Sequence, residues 1–270
     1  MAKKGFVSKA SMNKFARMLL KALVPESYKP LTMFPYRFVG RPLKVEVGVA
    51  DCGLPFAEHD GVRVYFPRDT PLKDVETLYR EYLEDEGVTG LGRRTKSPHS
   101  YVTEWHHPDA DDVIVDIGCS EGFFSRSYAT LAKRLYLFEA ESKWTEPLLE
   151  TFRDCPEKIV FTQKFVGAKS SENEVRLDEV LRDSVDDVFF LKLDVEGAER
   201  EILESSRDFL TRNRVKMSCC AYHRQDDGRY LTRLLKDIGF KTQYSEGWML
   251  PYGSRTFPFF RHGVIYARNF

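Results

Sequence analysis

The apolar positions of this chain follow two different periods. Near the front, Leu43, Val45, Val47 and Val49 alternate with polar or small residues, which predicts a half-buried strand. A β-rich run, Val62–Phe66, follows Asp60-Gly61, a pair suited to a tight turn, so a hairpin is expected there. Leu72, Val75, Leu78, Tyr79, Tyr82 and Leu83 then recur at helical spacing. Thr70 is placed as N-cap, Pro71 as the first helical residue and Gly87 as the stop. From Asp111 onward the pattern changes to short continuous apolar runs alternating with helical stripes. The runs are Val113–Ile117, Leu135–Phe138, Ile159–Val166, Val188–Asp194 and Val215–Ala221. Helical stripes lie around Trp144–Phe152, Leu177–Leu181, Ile202–Leu210 and Leu231–Ile238, the last stopped by Gly239. Two more strands, Phe240–Tyr244 and Gly263–Arg268, close the series. Strands alternating with helices specify an α/β protein with a doubly wound, mostly parallel sheet. The expected division is a helix plus a small α+β appendage over residues 1–108 and the α/β domain over 109–270.

Ligands of such a sheet bind beyond the carboxyl ends of the strands. Four polar signals are predicted to meet on that rim: the Gly118 turn, Glu139, the Asp194 stretch and Tyr222-His223. The turn runs Gly118-Cys119-Ser120-Glu121-Gly122 between a strand and a helical pattern. Its glycines let the backbone approach a ligand closely. A dinucleotide site would carry Gly-x-Gly-x-x-Gly, and here the central glycine is missing while Glu121 would repel a pyrophosphate. Glu139 ends the second strand of the domain, twenty-three residues after Asp116, where a carboxylate can accept both hydroxyls of a ribose. An adenosine cofactor without phosphates, S-adenosylmethionine, suits these residues, and Asp116 is expected to favour its positive end.

The same residues carry a family resemblance. Val113–Ser125 resembles the first motif of the FkbM-type methyltransferases, and Leu137-Phe138-Glu139-Ala140 is similar to their second, where proline is more usual than Ala140. Phe190-Leu191-Lys192-Leu193-Asp194-Val195-Glu196-Gly197-Ala198-Glu199 resembles that family's own signature. The resemblance implies a Rossmann-like class I sheet with its last strand antiparallel. It also implies methyl transfer from S-adenosylmethionine, usually to an oxygen in sugar, glycan or polyketide biosynthesis. Beside Asp116, Gly118, Gly122 and Glu139, it adds Ser120, Phe123, Ala140 and Asp194 as cofactor-binding positions. The connection Val166–Leu181 is shorter than usual for the family, and Tyr222-His223 stands where many members carry an acid.

Transfer to oxygen requires loss of the hydroxyl proton, and a base with a pKa near the working pH serves best. His223 is the only histidine the pattern places on the rim, which makes it the expected base, with Asp194 as the second candidate. Glu196 and Glu199 either join the site or cap the following helix. Lys192, inside an apolar strand, is expected to pair with one of these acids. Spacing gives no support for a metal ion, and His106-His107, pointing opposite ways on extended backbone, is read as structural. Cys219-Cys220 read as core residues. Trp248, Met249, Tyr252, Phe257, Phe259 and Phe260 either wall a substrate pocket or cover the sheet end.

Charge and cysteines narrow the setting. Lys plus Arg and Asp plus Glu both number 41, so no net positive field points to nucleic acid. Five cysteines without a Cys-x-x-Cys pair argue against a disulfide framework and for a reducing compartment. No secretory signal or membrane-spanning run is visible, so a cytoplasmic enzyme is expected, acting on a small or carbohydrate-like substrate. Residues 1–25 form a basic, partly amphipathic stretch that either packs on the domain or touches a membrane or partner. The competing class is a methyltransferase-like binding module that uses this stretch without catalysis. The glycine-rich basic run 90–98 is either a lid over an anionic substrate or a solvated loop.

Overall fold

In this computed structural model, residues 44–83, 97–181, 186–249, 258 and 260–270 are described. The N-terminal basic stretch, Gly87, most of the basic run 90–98, Tyr252, Phe257 and Phe259 lie outside them.

The front section forms β1 (Glu46–Val49), β2 (Pro55–His59) and β3 (Val62–Tyr65), an antiparallel sheet in the order β1-β2-β3. The β2–β3 hairpin turns at Asp60 and Gly61 with φ of 49° and 79°, the double positive φ that a two-residue hairpin turn demands. Helix α1 (Leu72–Glu81) begins one residue later than expected. Pro71 is its N-cap and no side chain caps it. Its apolar stripe nonetheless faces inward, with Val75 and Tyr79 fully buried.

A seven-stranded sheet follows. Its strands are β4 (Val113–Ile117), β5 (Arg134–Phe138), β6 (Ile159–Thr162), β9 (Val188–Leu193), β10 (Arg214–Cys220), β11 (Lys241–Tyr244) and β12 (Val264–Arg268). Their order is β11-β12-β10-β9-β4-β5-β6. The pairs β10–β9, β9–β4, β4–β5 and β5–β6 are parallel, whereas β12 runs antiparallel to both β10 and β11. The run Ile159–Val166, expected as one strand, breaks at Gln163-Lys164; Phe165–Val166 (β7) instead pairs with Glu174–Val175 (β8). The intervening helices are α2 (Phe123–Ser127), α3 (Thr145–Thr151), α4 (Leu177–Val180), α5 (Glu199–Ser205), α6 (Arg207–Arg212) and α7 (Asp227–Ile238). The stripe Ile202–Leu210 is thus two short helices meeting at Ser206.

Strand alternation divides the core into two layers. Val113, Val115 and Ile117 of β4 and Phe189, Leu191 and Leu193 of β9 pack on one face, against α5, α6 and α7. Ile114 and Phe190 face the other side and share a core with Ala57, Val64, Phe66, Val75, Tyr79 and Tyr101. The front section therefore covers one face of the sheet rather than standing apart from it. No helix among the described residues is long and apolar enough to cross a membrane.

Candidate functional site

The crevice opens where the strand order reverses, between β4 with its neighbour β5 and β9 with its neighbour β10. At the end of β4, Gly118 has φ of 78°, and a Cβ built there would lie 2.0 Å from the carbonyl oxygen of Asp194. Only glycine lets these two strand ends approach so closely. Ser120 also takes a positive φ, 46°, an uncommon conformation for a side-chain-bearing residue and one that clusters at functional turns. Gly122, with φ of 80°, caps α2, and a Cβ there would meet Phe152 and Leu148 at 2.8 and 2.9 Å.

Glu139 is brought to this turn from the end of β5. Its Oε2 accepts the Ser120 N–H at 3.1 Å and its Oε1 accepts the Glu141 N–H at 2.8 Å. A carboxylate oxygen has room for two donors, so each keeps one acceptor position. That fits a pair of ribose hydroxyls. Half-buried Ser120 and Ala140 flank it. Phe123 is placed differently. Its ring is buried between Tyr79 and Tyr82 of the front section, at centroid distances of 5.0 and 5.5 Å. Glu121 is buried beside it and accepts the Tyr82 hydroxyl at 2.9 Å. Burial pushes the Glu121 carboxyl up to about 7, against the lowering effect of a backbone bond and of Tyr82.

Asp116 departs from its expected role. It is fully buried, with Oδ1 accepting Lys192 Nζ at 2.9 Å and Oδ2 accepting the Ser125 hydroxyl at 2.8 Å. Register is the reason: Asp116 and Lys192 stand opposite each other in the parallel β4–β9 pair. Lys192 therefore takes Asp116 as a partner. It also donates to the Gly118 carbonyl at 3.0 Å and so braces the turn from beneath.

The second half of the rim is a polar cluster around Asp194. The Tyr101 hydroxyl donates to Asp194 Oδ2 at 2.6 Å, and the Tyr222 hydroxyl lies 3.5 Å from Oδ1. His99 Nε2 sits 3.7 Å from Oδ2 and within 3.1 and 3.3 Å of the Tyr101 and Tyr222 hydroxyls. His223 Nε2 lies 3.3 Å from Asp194 Oδ1, and its Nδ1 meets Glu199 Oε1 at 2.7 Å. Glu199, which opens α5, is fully buried; its Oε1 meets the histidine and also accepts the Val195 N–H at 3.3 Å just ahead of the helix. Burial works against the charged form of Asp194, but the His99 bond and the charges of His99, Lys192 and His223 outweigh it. They hold Asp194 below the usual carboxylate range. Burial likewise opposes charging of His223, yet Glu199 and then Asp194 and Glu196 raise its pKa above the ordinary histidine value.

The structure thus brings His223 and Asp194 together and adds His99 and Tyr101, which the sequence pattern did not place there. His106 is buried and meets the Ser218 hydroxyl at 3.1 Å, as a structural histidine should. Cys219 and Cys220 are buried free thiols. Trp248 stacks on His262 and Met249 bridges to Arg261, near the last strand of the sheet.

The strand order, the antiparallel β12 and a glycine turn answered by an acid on the next strand define the Rossmann-like fold of class I methyltransferases. Residues 117–242 match the family described as the Methyltransferase FkbM domain. Over those residues the chain is similar to an FkbM methyltransferase domain, and S-adenosylmethionine is the methyl donor that the Gly118 turn and Glu139 fit. A solved methyltransferase FkbM from Methylobacillus flagellatus KT is similar in fold, with a TM-score of 0.51 and 19% identity over 72% of this chain. The match spans 54% of that protein. Also similar, at a TM-score of 0.38, is a precorrin-6y C5,15-methyltransferase from Geobacter metallireducens GS-15, with 15% identity over 64% of this chain and 82% of that one. A magnesium protoporphyrin IX methyltransferase from Synechocystis PCC 6803 with bound SAM aligns at 0.36, with 15% identity over 60% of this chain and 71% of that one. No curated protein sequence matches the chain.

Proposed function

We propose that this methyltransferase acts on a hydroxyl oxygen of a small or carbohydrate-like acceptor. The observation that carries the reading is the packing of two unlike half-sites at one rim. The Gly118 turn and Glu139 fit adenosine. Immediately beside them, Asp194 gathers His99, Tyr101, Tyr222 and His223, groups that orient a hydroxyl and receive its proton. Bound S-adenosylmethionine supplies an electrophilic methyl group. Glu139 would hold the two ribose hydroxyls, and the backbone of Gly118–Ser120 would let the cofactor lie close. The tyrosine hydroxyls and His99 would fix the acceptor; as its O–H bond breaks and the new O–C bond forms, the methyl–sulfur bond of the donor would break and S-adenosylhomocysteine would leave. The proton leaves through the Asp194–His223 corner. A neutral chain supports a small acceptor over a nucleic-acid one, because phosphate contacts call for a basic field.

A thermal melt with S-adenosylhomocysteine, the demethylated product, tests the cofactor half. A ligand that binds only the native state raises the midpoint, by about 2.7 kcal/mol of stability at a hundred times Kd. No shift at millimolar ligand would remove the enzyme reading and leave the binding-module alternative. Within that test, Glu139→Gln is expected to weaken binding about 10-fold or more by calorimetry, since hydrogen bonds to a charged group contribute about 1.5–3 kcal/mol. Unchanged affinity would take Glu139 out of the ribose site. The acceptor half is tested by methyl-transfer assays over sugars, sugar nucleotides and RNA. Turnover on RNA that weakens steeply with salt is the outcome that overturns the small-acceptor reading.

A further inference from the structure

We propose that His223, Asp194 and Glu196 form a divalent-cation site on this rim, with Glu199 orienting the histidine. The methyl-transfer reading gives the site its role, but its existence rests on separate observations.

The first observation is the histidine itself. Its side chain is 8% exposed, and among the described residues Nε2 has no hydrogen-bond partner. Nδ1 is held by Glu199 at 2.7 Å. An Nδ1–H donated to that carboxylate leaves the lone pair on Nε2, directed at Asp194 Oδ1 at 3.3 Å and Glu196 Oε2 at 3.7 Å. A lone pair facing two carboxylate oxygens is repulsive, so the position calls for a positive charge, either a proton on Nε2 or a metal ion in its place. A histidine whose far nitrogen donates to a buried carboxylate is the usual arrangement of a metal-ligating imidazole.

The second observation is charge. Asp194, Glu196 and Glu199 converge on one imidazole, and Glu199 is fully buried with its Oε2 also lacking a hydrogen-bond partner among the described residues. Lys192, the nearest lysine on the same strand, already bonds to Asp116 and the Gly118 carbonyl.

Spacing is compatible. Among the described residues the candidate ligand atoms of Asp194, Glu199 and His223 lie within 4.8 Å of one another, and Glu196, outside that group, swings in to complete the set; neighbouring ligands of an octahedral ion with bonds near 2.1 Å are about 3 Å apart. Glu196 is 94% exposed and has freedom to close. One imidazole with carboxylate oxygens and no thiolate suits a hard to borderline ion such as Mn2+. A second group, His99, Asp194 and Cys220, also lies close together, but its imidazole Nε2 is already engaged by two tyrosine hydroxyls. Three protein ligands leave positions for water and an acceptor hydroxyl, whose proton a bound cation makes easier to lose; in the cation-bound state that proton passes to water, and His223 acts as a ligand in place of a base.

The test is a titration of the full chain, stripped with EDTA, with Mn2+ followed by loss of the free-ion electron paramagnetic resonance signal. Saturation at a single ion per chain is expected. Glu199→Gln is expected to weaken it about 10–100-fold, the range for an outer partner of a ligating histidine. His223→Ala should abolish saturable uptake. Glu196→Gln, too exposed to disturb folding, should weaken it measurably. No saturable uptake at millimolar Mn2+, or equal uptake by the wild type and all three variants, overturns the site and leaves an imidazolium–carboxylate ion pair. The S-adenosylhomocysteine melt run in parallel separates the two readings. A ligand shift without Mn2+ uptake defeats only the cation site, and uptake without a ligand shift defeats only the methyl-transfer reading.

Discussion

His223→Ala is expected to lower kcat about 10^2- to 10^4-fold, the range for a group that assists a proton transfer, while S-adenosylhomocysteine binding persists. The split follows from position. His223 follows β10 and meets Glu199, Asp194 and Glu196, whereas Glu139 and the Gly118–Ser120 backbone lie on the cofactor half. Truncation to alanine leaves Glu199 buried without its partner, so the variant's folding must be checked by melt. His223→Gln supplies the folding control, because its amide can still donate to Glu199. It should regain stability without regaining turnover. Asp194→Asn should lose turnover to a similar degree, since it removes the charge that the two tyrosines and two histidines surround. If both His223 variants turn over within twofold of the wild type, the proton leaves elsewhere, and His99 becomes the group to replace.

The sheet and the cofactor turn were legible because each is written in a local pattern. Val113–Ile117 and Val188–Leu193 are continuous apolar runs, and Gly118, Gly122 and Glu139 stand at strand ends where their chemistry is readable. What depends on pairing register was not. Nothing local to Asp116 shows that Lys192 will stand opposite it, so a buried ion-pair partner reads like a ligand contact. The polar cluster around Asp194 was hidden for a related reason. His99 and Tyr101 lie in a segment without helical or strand period, yet Tyr101 reaches Asp194 across 93 positions. Phe123 reads as part of the cofactor motif, but the front section supplies Tyr79 and Tyr82 to enclose its ring. Only tertiary packing decides that the motif's backbone, and not this side chain, faces the crevice.

Lys192→Met is expected to destabilise the protein by about 3–5 kcal/mol, as breaking a buried ion pair from one side does. Lys192 and Asp116 are 6% and 0% exposed at their side chains, and the pair joins the two central strands directly beneath the cofactor turn. Methionine fills much of the volume and removes the charge, leaving Asp116 with the Ser125 hydroxyl alone among these partners. At roughly 2–4 °C per kcal/mol for a domain of this size, the melting midpoint should fall on the order of 10 °C. The pair is also coupled to function, because Nζ holds the Gly118 carbonyl, so S-adenosylhomocysteine affinity should drop in the same variant. Adding Asp116→Asn separates the two effects. With the buried charge gone, much of the midpoint should return, as expected for residues in direct contact whose effects do not add. Cofactor affinity should stay low, because the turn still lacks its brace. A midpoint within about 2 °C of the wild type in Lys192→Met would show that Asp116 finds another partner, and that the turn is held without the ion pair beneath it.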